Sequence, residues 1–350
     1  MLFLLLLLSG FFHSFEPSNT QPLNFIQNPA LRTIKPEWKG TPIDVHGRFV
    51  NHEFPFNAPF SEVLKWQFGP KPQKQEKKND TFRLTTREDT RFLHTQDDCI
   101  VWLGHATFFI RLNGVSLLID PVFYDVPFVK RYAQHAFGPE VFIHLDYLLI
   151  SHDHQDHCQQ KSIRALVEKN PHLTILTGLH MEGLLKKWVG NVPIQTAGWY
   201  QEYALPVPLH VYFLPSRHWS KRSLNDTNKR LWGAFVIEGN GKTIYFSGDT
   251  GYGSHFKEAK ELFPHLDICI MGVGAYKPEW FMSPNHISPQ DGIRAFHDLG
   301  AKVFIPMHYG TFDLSDEPVG EPYRILKGME QEGKIKGQLK ALDLGENYQF

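Results

Sequence analysis

Residues 151–157 read Ser-His-Asp-His-Gln-Asp-His, and this short stretch decides how the rest of the chain is interpreted. Four of its side chains can ligate a metal ion: His152, His154, Asp156 and His157. They follow an apolar run at residues 146–151, which predicts a strand buried on both faces. Imidazole nitrogen and carboxylate oxygen suit zinc and its neighbours, and the turn directs the last two side chains to a second position. The spacing therefore predicts two adjacent metal sites, with a histidine-rich surface loop as the alternative.

Four side chains cannot fill two metal sites, so the rest of the chain has to supply more ligands. Three residues stand where strand-like runs end: His218 after residues 210–216, Asp249 after 243–247 and His308 after 302–307. Any one of them alone is typical of a buried polar group with an ordinary hydrogen-bond partner. All three lie where a buried strand opens into a loop, and this shared placement favours one common site.

The order of the predicted elements indicates the fold class. Strand-like runs first come in hairpins, with a turn at Asn113-Gly114, and later alternate with helices. We predict strands at residues 99–103, 107–112, 115–119, 146–151, 173–176, 210–214, 231–238, 243–247 and 302–307, and helices at 162–169 and 289–299. This order predicts an α+β chain in which two sheets pack face to face with helices outside.

The N-terminal segment at residues 1–15 is strongly apolar. Its apolar run is shorter than the roughly 20 residues that span a bilayer. It also lacks the basic start and the small-residue cleavage site of a secretory signal. A weak signal, a membrane-associated tail and a wrongly assigned start therefore all stay open.

Residues 16–98 predict an extension draped over the main domain, which we assign to residues 99–350. The extension is rich in proline and too aromatic to be simply disordered. Its aromatic residues include Trp38, Phe49, Phe54, Phe56, Phe60 and Trp66. Within it, residues 71–78 predict a solvated loop, with a polybasic lipid-binding patch as the alternative. A contribution of the extension to a substrate entrance is a further hypothesis.

Composition excludes some classes of function. The chain has 350 residues and a formal net charge of −1, which argues against a nucleic-acid partner because phosphate-tracking proteins carry a basic excess. The cysteines, Cys99, Cys158 and Cys269, are odd in number and lack metal-type pair spacing, so we interpret them as free thiols. Free thiols are typical of a reducing compartment, and the predicted location is cytoplasmic or membrane-associated.

The order of these motifs resembles the metallo-β-lactamase superfamily: H-x-H-x-D-H, then a single His, then G-D-T and a late His. Over about residues 40–345 the chain is similar to the branch of N-acyl-phosphatidylethanolamine-hydrolysing phospholipases D. The stretches that carry this likeness are WLGHATFFIRLNGVSLLIDPVF, SHDHQDH, SRHW, YFSGDTGYG, GAYKPEWFMSPNHISPQ and PMHYGTF. The resemblance implies a four-layer αββα sandwich, the metallo-β-lactamase fold, preceded by the N-terminal extension.

The resemblance also implies a role for each ligand. His152, His154 and His218 would hold the first metal, and Asp156, His157 and His308 the second, while Asp249 would bridge them. The cofactors would be two divalent ions, zinc being the expected one, that share a hydroxide as the nucleophile.

Outside the ligands, His286 would contact the phosphate or donate a proton, with a structural loop histidine as the alternative. His105, Asp120 and Asp146 would orient the ligating imidazoles. For Asp120 a turn or cap role is equally compatible with the sequence.

The activity implied is cleavage of N-acyl-phosphatidylethanolamine, a phospholipid, to N-acylethanolamine and phosphatidic acid. The aromatic extension and the apolar segment would then make peripheral contact with a membrane, and the similar branch hints at a homodimer. One alternative is a two-metal hydrolase of a soluble phosphodiester or lactone, since fold and metal motif serve both equally. A non-catalytic metal-binding protein is a second alternative, whereas β-lactam hydrolysis is not expected.

Overall fold

The computed structural model describes residues 22–53 and 60–350. The apolar segment at residues 1–15 lies outside the described residues, as do Phe54 and Phe56 of the extension. Within the described ranges, none of the helices combines the length and the apolar character needed to cross a bilayer.

The strands are numbered in chain order. They are β1 Asn24–Ile26, β2 Arg32–Thr33, β3 Thr41–Ile43, β4 Cys99–Gly104, β5 Thr107–Leu112, β6 Val115–Ile119, β7 Tyr147–Ile150, β8 Thr174–Gly178, β9 Ile194–Ala197, β10 Gln201–Glu202, β11 His210–Leu214, β12 Ala234–Gly239, β13 Lys242–Phe246, β14 Ile268–Gly272, β15 Val303–Met307, β16 Gln338–Leu339 and β17 Asn347–Gln349. The α-helices are α1 Phe60–Phe68, α2 Lys74–Asn79, α3 Gln160–Lys169, α4 Glu182–Val189, α5 His255–Leu262, α6 Glu279–Met282, α7 Pro289–Leu299 and α8 Glu321–Gln331.

Two large sheets form the middle of the molecule. The seven-stranded sheet has the order β17-β4-β5-β6-β7-β8-β9, and the eight-stranded sheet has the order β16-β15-β14-β13-β12-β11-β10-β2. Each sheet contains antiparallel hairpins on one side and parallel strands on the other. The two sheets share one hydrophobic core, in which the ring of Phe108 on β5 lies 6.1 Å from that of Phe246 on β13. The predicted α+β sandwich, with its two packed sheets, is therefore confirmed.

Local sequence chemistry explains the elements that were predicted well. The turn between β5 and β6 has positive φ at both Asn113 and Gly114, the backbone of a tight hairpin that favours this dipeptide. Helix α7 begins after Ser288, whose hydroxyl accepts the Asp291 N–H at 3.2 Å, and ends at the left-handed Gly300. Its buried residues recur at helical spacing and face the sheet: Pro289, Gly292, Ile293, Ala295, Phe296 and Leu299.

The solvated loop predicted at residues 71–78 is wrong, because Lys74–Asn79 forms helix α2. Lysine, glutamine and glutamate are good helix formers, and acidic partners across the fold hold the segment in place. Lys71 lies 2.8 Å from Asp316, and Lys77 pairs with Asp313. These partners come far later in the sequence, so local composition does not reveal them.

The described part of the extension packs against the main domain. Strand β2 pairs with β10 at the edge of the eight-stranded sheet. The side chain of Phe49 is 1% exposed and belongs to the common core. Trp38 packs edge-on against Tyr200, with ring centroids 4.7 Å apart. The extension is thus fixed to the same sheet that supplies three of the predicted ligands.

Candidate metal centre

All seven predicted ligands meet at one edge of the sandwich. Each follows the carboxyl end of a strand: His152, His154, Asp156 and His157 after β7, His218 after β11, Asp249 after β13 and His308 after β15. The seven-stranded sheet therefore supplies four ligands and the eight-stranded sheet supplies three. The joint placement inferred from the sequence corresponds to one real cluster.

Three imidazole nitrogens converge in the first ligand group. The Nε2 atom of His152 lies 3.0 Å from Nδ1 of His154, and Nε2 of His218 lies 3.1 Å from the same Nδ1 atom. The carboxylate of Asp249 closes the group at 4.0 Å from His152 and 3.9 Å from His218. These four residues can hold one metal ion.

The second ligand group shares the same carboxylate. The Oδ2 atom of Asp249 lies 3.2 Å from Nε2 of both His157 and His308. Asp156 Oδ2 lies 3.8 Å and 3.7 Å from the same two nitrogens. One oxygen of Asp249 is thus within 4.0 Å of ligand nitrogens from both groups, which is where a bridging ligand has to stand.

Hydrogen bonds on the far side of the rings fix which nitrogen faces the centre. His218 Nδ1 donates to the carbonyl oxygen of Asn285 at 3.0 Å, and His157 Nδ1 donates to Asp120 at 2.9 Å. The Ser151 hydroxyl donates to Asp120 at 2.6 Å and so accepts from Nδ1 of His152 at 2.9 Å. In all three rings the Nε2 lone pair points into the cluster, as metal binding requires.

Unpartnered buried atoms show that the cluster suits a cation. The Nε2 atoms of His157 and His308 lie 3.2 Å from Asp249 Oδ2 but without hydrogen-bond geometry, and Nδ1 of His308 has no partner. Buried polar groups are rarely left in this state unless an ion or an unplaced water satisfies them. The ring centroids of His152 and His218 lie 4.8 Å apart, and their Nε2 lone pairs cannot bond to each other. A cation that accepts both lone pairs would satisfy them.

The charge states agree with this interpretation. Burial and then the neighbouring imidazoles hold the pKa of His152 and His218 well below the usual range, so both rings are neutral. Burial works against ionisation of Asp156 and Asp249, but the surrounding histidines hold both pKa values well below the usual range. Burial lowers the pKa of His308, but Asp249 and Asp156 outweigh it and raise that pKa to about 9. The carboxylates thus attract positive charge, which a divalent cation supplies while displacing protons.

The backbone at the centre is held in rarely populated conformations. His105, Asp120 and His308 have φ values of 52°, 43° and 64°, in the left-handed region. Such residues cluster at functional sites, where the surrounding fold maintains them. Gly248, directly before Asp249, has φ 56°, and a Cβ there would lie 2.8 Å from the carbonyl oxygen of Gly233. Glycine is needed here so that β13 can turn the Asp249 carboxylate into the cluster.

Two of the three predicted orienting residues contact the ligands. His105 Nε2 lies 3.0 Å from Asp156 Oδ2, and Asp120 holds His157 directly and His152 through Ser151. The prediction for Asp146 is wrong, because it lies at the start of β7, away from the ligands. There its exposed side chain accepts the Ser116 N–H at 2.8 Å, so its place beside the motif in sequence was misleading.

His286 lies at the open side of the centre. Its Nδ1 atom is 3.8 Å from Asp249 Oδ2, and its ring centroid is 5.3 Å from that of His218. Its side chain is 18% exposed, compared with 3% for Asp249. Burial, opposed by Asp249, lowers the pKa of His286 to about 4, so the ring is neutral near pH 7.

Sequence reasoning missed three residues that hold the ligands. These are Ser151, Asn285 and Asn51, which bond to His152 or His218. Ser151 stands directly before His152, a polar residue at the end of an apolar run, and this was a usable signal. The other two are distant from their partner in sequence and gave none.

Comparison with known proteins agrees with the geometry. Residues 116–309 match the family described as the beta-lactamase superfamily domain. The metallo hydrolase Igni18 of Ignicoccus hospitalis has the same fold, with a TM-score of 0.57 at 18% identity over 72% of this chain and 98% of that one. The chain therefore belongs to the metallo-β-lactamase superfamily.

Two curated relatives indicate which branch of the superfamily the chain resembles. N-acyl-phosphatidylethanolamine-hydrolyzing phospholipase D 1 of Caenorhabditis elegans is 31% identical over 266 residues, 70% of this chain and 74% of the relative. The mitochondrial phospholipase D of the same description from Saccharomyces cerevisiae is 31% identical over 265 residues, 71% of this chain but 55% of the relative, so the match spans about half of its length. Within its superfamily the chain is a metal-dependent hydrolase similar to this branch.

The ligand assignment predicts the metal content of variants. His154→Ala and Asp249→Ala each remove a ligand and should lower the bound metal, measured by elemental analysis of protein purified without chelators. Asp146→Ala is the matched carboxylate control, since Asp146 lies at the start of β7, where its side chain accepts the Ser116 N–H. Full metal content in both ligand variants would contradict the assignment.

Proposed function

We propose that the chain is a two-metal hydrolase that cleaves N-acyl-phosphatidylethanolamine to N-acylethanolamine and phosphatidic acid. The observation that carries the two-metal assignment is the place of Asp249 Oδ2, within 4.0 Å of ring nitrogens from both ligand groups. Support for the substrate comes from the two relatives named for this reaction. Neutral imidazoles and carboxylates make zinc the ion we propose for both sites.

The residues of the chain divide the work of the reaction. His152, His154 and His218 would hold one ion, Asp156, His157 and His308 the other, and Asp249 both. Two such ions would activate water for attack and neutralise charge on the phosphodiester oxygens. Asp120 and His105 orient the ligands, because they hydrogen-bond to His157 and Asp156. No serine or cysteine nucleophile is required; Cys158, next to the motif, is buried, and burial raises its pKa to about 12.

For His286 we propose a hydrogen bond from the ring N–H to a phosphate oxygen. It lies at the open side of the centre and beside the bridging carboxylate, where a bound phosphodiester would enter. A pKa of about 4 favours this role over proton donation, because a neutral imidazole is a poor acid near pH 7.

Product analysis tests the reaction directly. Zinc-loaded protein incubated with N-acyl-phosphatidylethanolamine vesicles should release N-acylethanolamine and phosphatidic acid, detected by mass spectrometry, and His154→Ala should abolish both products. Cleavage of a generic soluble phosphodiester without lipid products would retain the metal chemistry and reject the lipid substrate. Bound metal without turnover of either substrate would favour a binding protein.

The role of His286 is separable from metal binding. His286→Ala should lower kcat/KM about 100- to 1,000-fold while metal content stays at the wild-type level, since a lost transition-state hydrogen bond costs about this much. His286→Gln, which retains an N–H donor, should recover part of the activity. A loss of metal in His286→Ala would instead make this residue a ligand.

For a lipid substrate we further propose peripheral membrane contact through an aromatic ledge, formed by Lys65, Trp66 and Phe68 of α1 and Trp280 and Phe281 of α6. Trp66 stacks on Phe281 with ring centroids 5.2 Å apart, and the Lys65 ammonium lies 4.6 Å from the Trp280 ring. Phe68 is 82% exposed and Trp280 is 46% exposed. Adjacent large apolar side chains exposed to this extent are unusual on a protein surface unless they bind something.

The ledge is linked to the metal centre by the backbone that follows helix α6. Helix α6 ends at Met282, whose carbonyl oxygen accepts the backbone N–H of His286 at 2.9 Å. Aromatic rings beside a lysine are typical of surfaces that rest on lipid headgroups. We expect a phospholipid that enters from this surface to place its headgroup beside His286. Association of two copies stays a prediction from the resemblance.

The exposed rings of the ledge should contribute to activity on vesicles but not to activity on soluble substrates. Phe68→Ser with Trp280→Ser should lower vesicle binding and the hydrolysis of vesicle substrate at least about 10-fold, because burying a large apolar side chain contributes about 1.5–3 kcal/mol. Activity on a micellar or soluble short-chain substrate should be retained. Ile143→Ser is the control, since Ile143 is 53% exposed but precedes β7, at the edge of the sheet opposite the ligands. Equal losses in the control would contradict the ledge.

A further inference from the structure

Asn51 of the N-terminal extension holds the backbone of a metal ligand. Its side-chain Nδ2 donates to the carbonyl oxygen of His218 at 2.8 Å, and its Oδ1 accepts the His218 N–H at 3.1 Å. Both polar groups of one backbone residue are thus paired with a single carboxamide. Asn51 is 7% exposed, so neither bond competes freely with water.

The segment around Asn51 is anchored on both sides. The Phe49 N–H donates to the carbonyl oxygen of Asn228 at 2.7 Å, and the Phe49 ring is buried in the core. After Asn51, His52 lies 3.0 Å from Glu258 of α5, and Glu53 accepts the Ser254 N–H at 2.5 Å. This segment therefore has a fixed position from which a side chain can hold another loop.

His218 needs such support because of its place in the fold. Strand β11 ends at Leu214, and beyond it Arg217 is held by a bridge to Gly251, whereas the backbone N–H and carbonyl of His218 itself bond to Asn51. Its ring is held by the Asn285 carbonyl oxygen, but one bond to Nδ1 does not set the depth of the ring in the cluster. The clamp of Asn51 on both backbone groups of His218 adds a constraint at the ligand itself, whose Nε2 lies 3.1 Å from Nδ1 of His154.

We propose that Asn51 is a positioning residue for the first metal site, so that the extension is a working part of the centre. The inference rests on the proposed two-metal function, because it concerns the affinity of one of the two sites. Asn51 lies outside the matched family region at residues 116–309, so the family match does not contain it. Partners that orient metal ligands typically contribute a factor of about 10 to 100 in metal affinity.

The test is zinc affinity, measured by competition with a chromophoric chelator on the full chain. Asn51→Ala should weaken one of the two sites about 10- to 100-fold and leave the other unchanged. Asn51→Asp, which is nearly isosteric, should weaken the same site, because a carboxylate cannot donate to the His218 carbonyl. In a His218→Ala background, Asn51→Ala should cause no further loss, since the proposed effect acts through His218.

Asn170→Ala is the matched control. Asn170 is 3% exposed, and its side chain also bonds to backbone groups, donating to Phe142 and Leu166 and accepting from Leu145, each at 2.8 Å. Its loss should lower the melting temperature but leave both zinc affinities at the wild-type level.

Wild-type affinities in both Asn51 variants, or equal losses in Asn170→Ala, would overturn the inference. A wild-type protein that binds one ion only would instead contradict the proposed pair of metals. Even then, a difference between Asn51→Ala and Asn170→Ala in the affinity for that ion would still decide the role of Asn51.

Discussion

The carboxylate of Asp120 is the contact on which the metal centre depends. It is fully buried and accepts three hydrogen bonds, from the Ser151 N–H at 2.7 Å, the Ser151 hydroxyl at 2.6 Å and His157 Nδ1 at 2.9 Å. The first bond ties the end of β6 to the end of β7, and the other two set the tautomers of rings in both ligand groups. Burying a carboxylate is costly unless every lone pair is engaged, so the same group that stabilises the site would destabilise it if left unpaired.

A second constraint is that neither sheet can form the centre alone. The seven-stranded sheet supplies a compact run of four ligands, and the eight-stranded sheet supplies His218, Asp249 and His308 from three separate strands. Their distances depend on how the two sheets pack, and hence on core contacts such as Phe108 against Phe246. Core packing far from the ligands is in this sense part of the site, because dense interiors transmit small displacements.

The sequence predicted what is local and periodic. Apolar strands and the H-x-H-x-D-H run indicated the sandwich and the ligand cluster, since both patterns depend on neighbours in the chain. It does not predict structure whose cause is distant in the chain. Lys71 and Lys77 meet Asp316 and Asp313 only in the fold, so local composition favours a loop where the structure has helix α2. Asp146 was misassigned because nearness in sequence says nothing about which end of a strand faces the site. Strand β14 was not predicted at all, since a short apolar run does not distinguish strand from helix.

The separation of 167 residues in sequence between Asn51 and His218 affects how the protein acquires its metal. A partly folded chain offers the H-x-H-x-D-H run by itself, without the three ligands of the other sheet and without the clamp on one of them. Full affinity therefore arrives only when the extension and both sheets have docked. By mass action, an ion that binds the complete site stabilises the native state relative to partly folded states. The concentration of free metal and the fraction of folded protein are therefore thermodynamically linked.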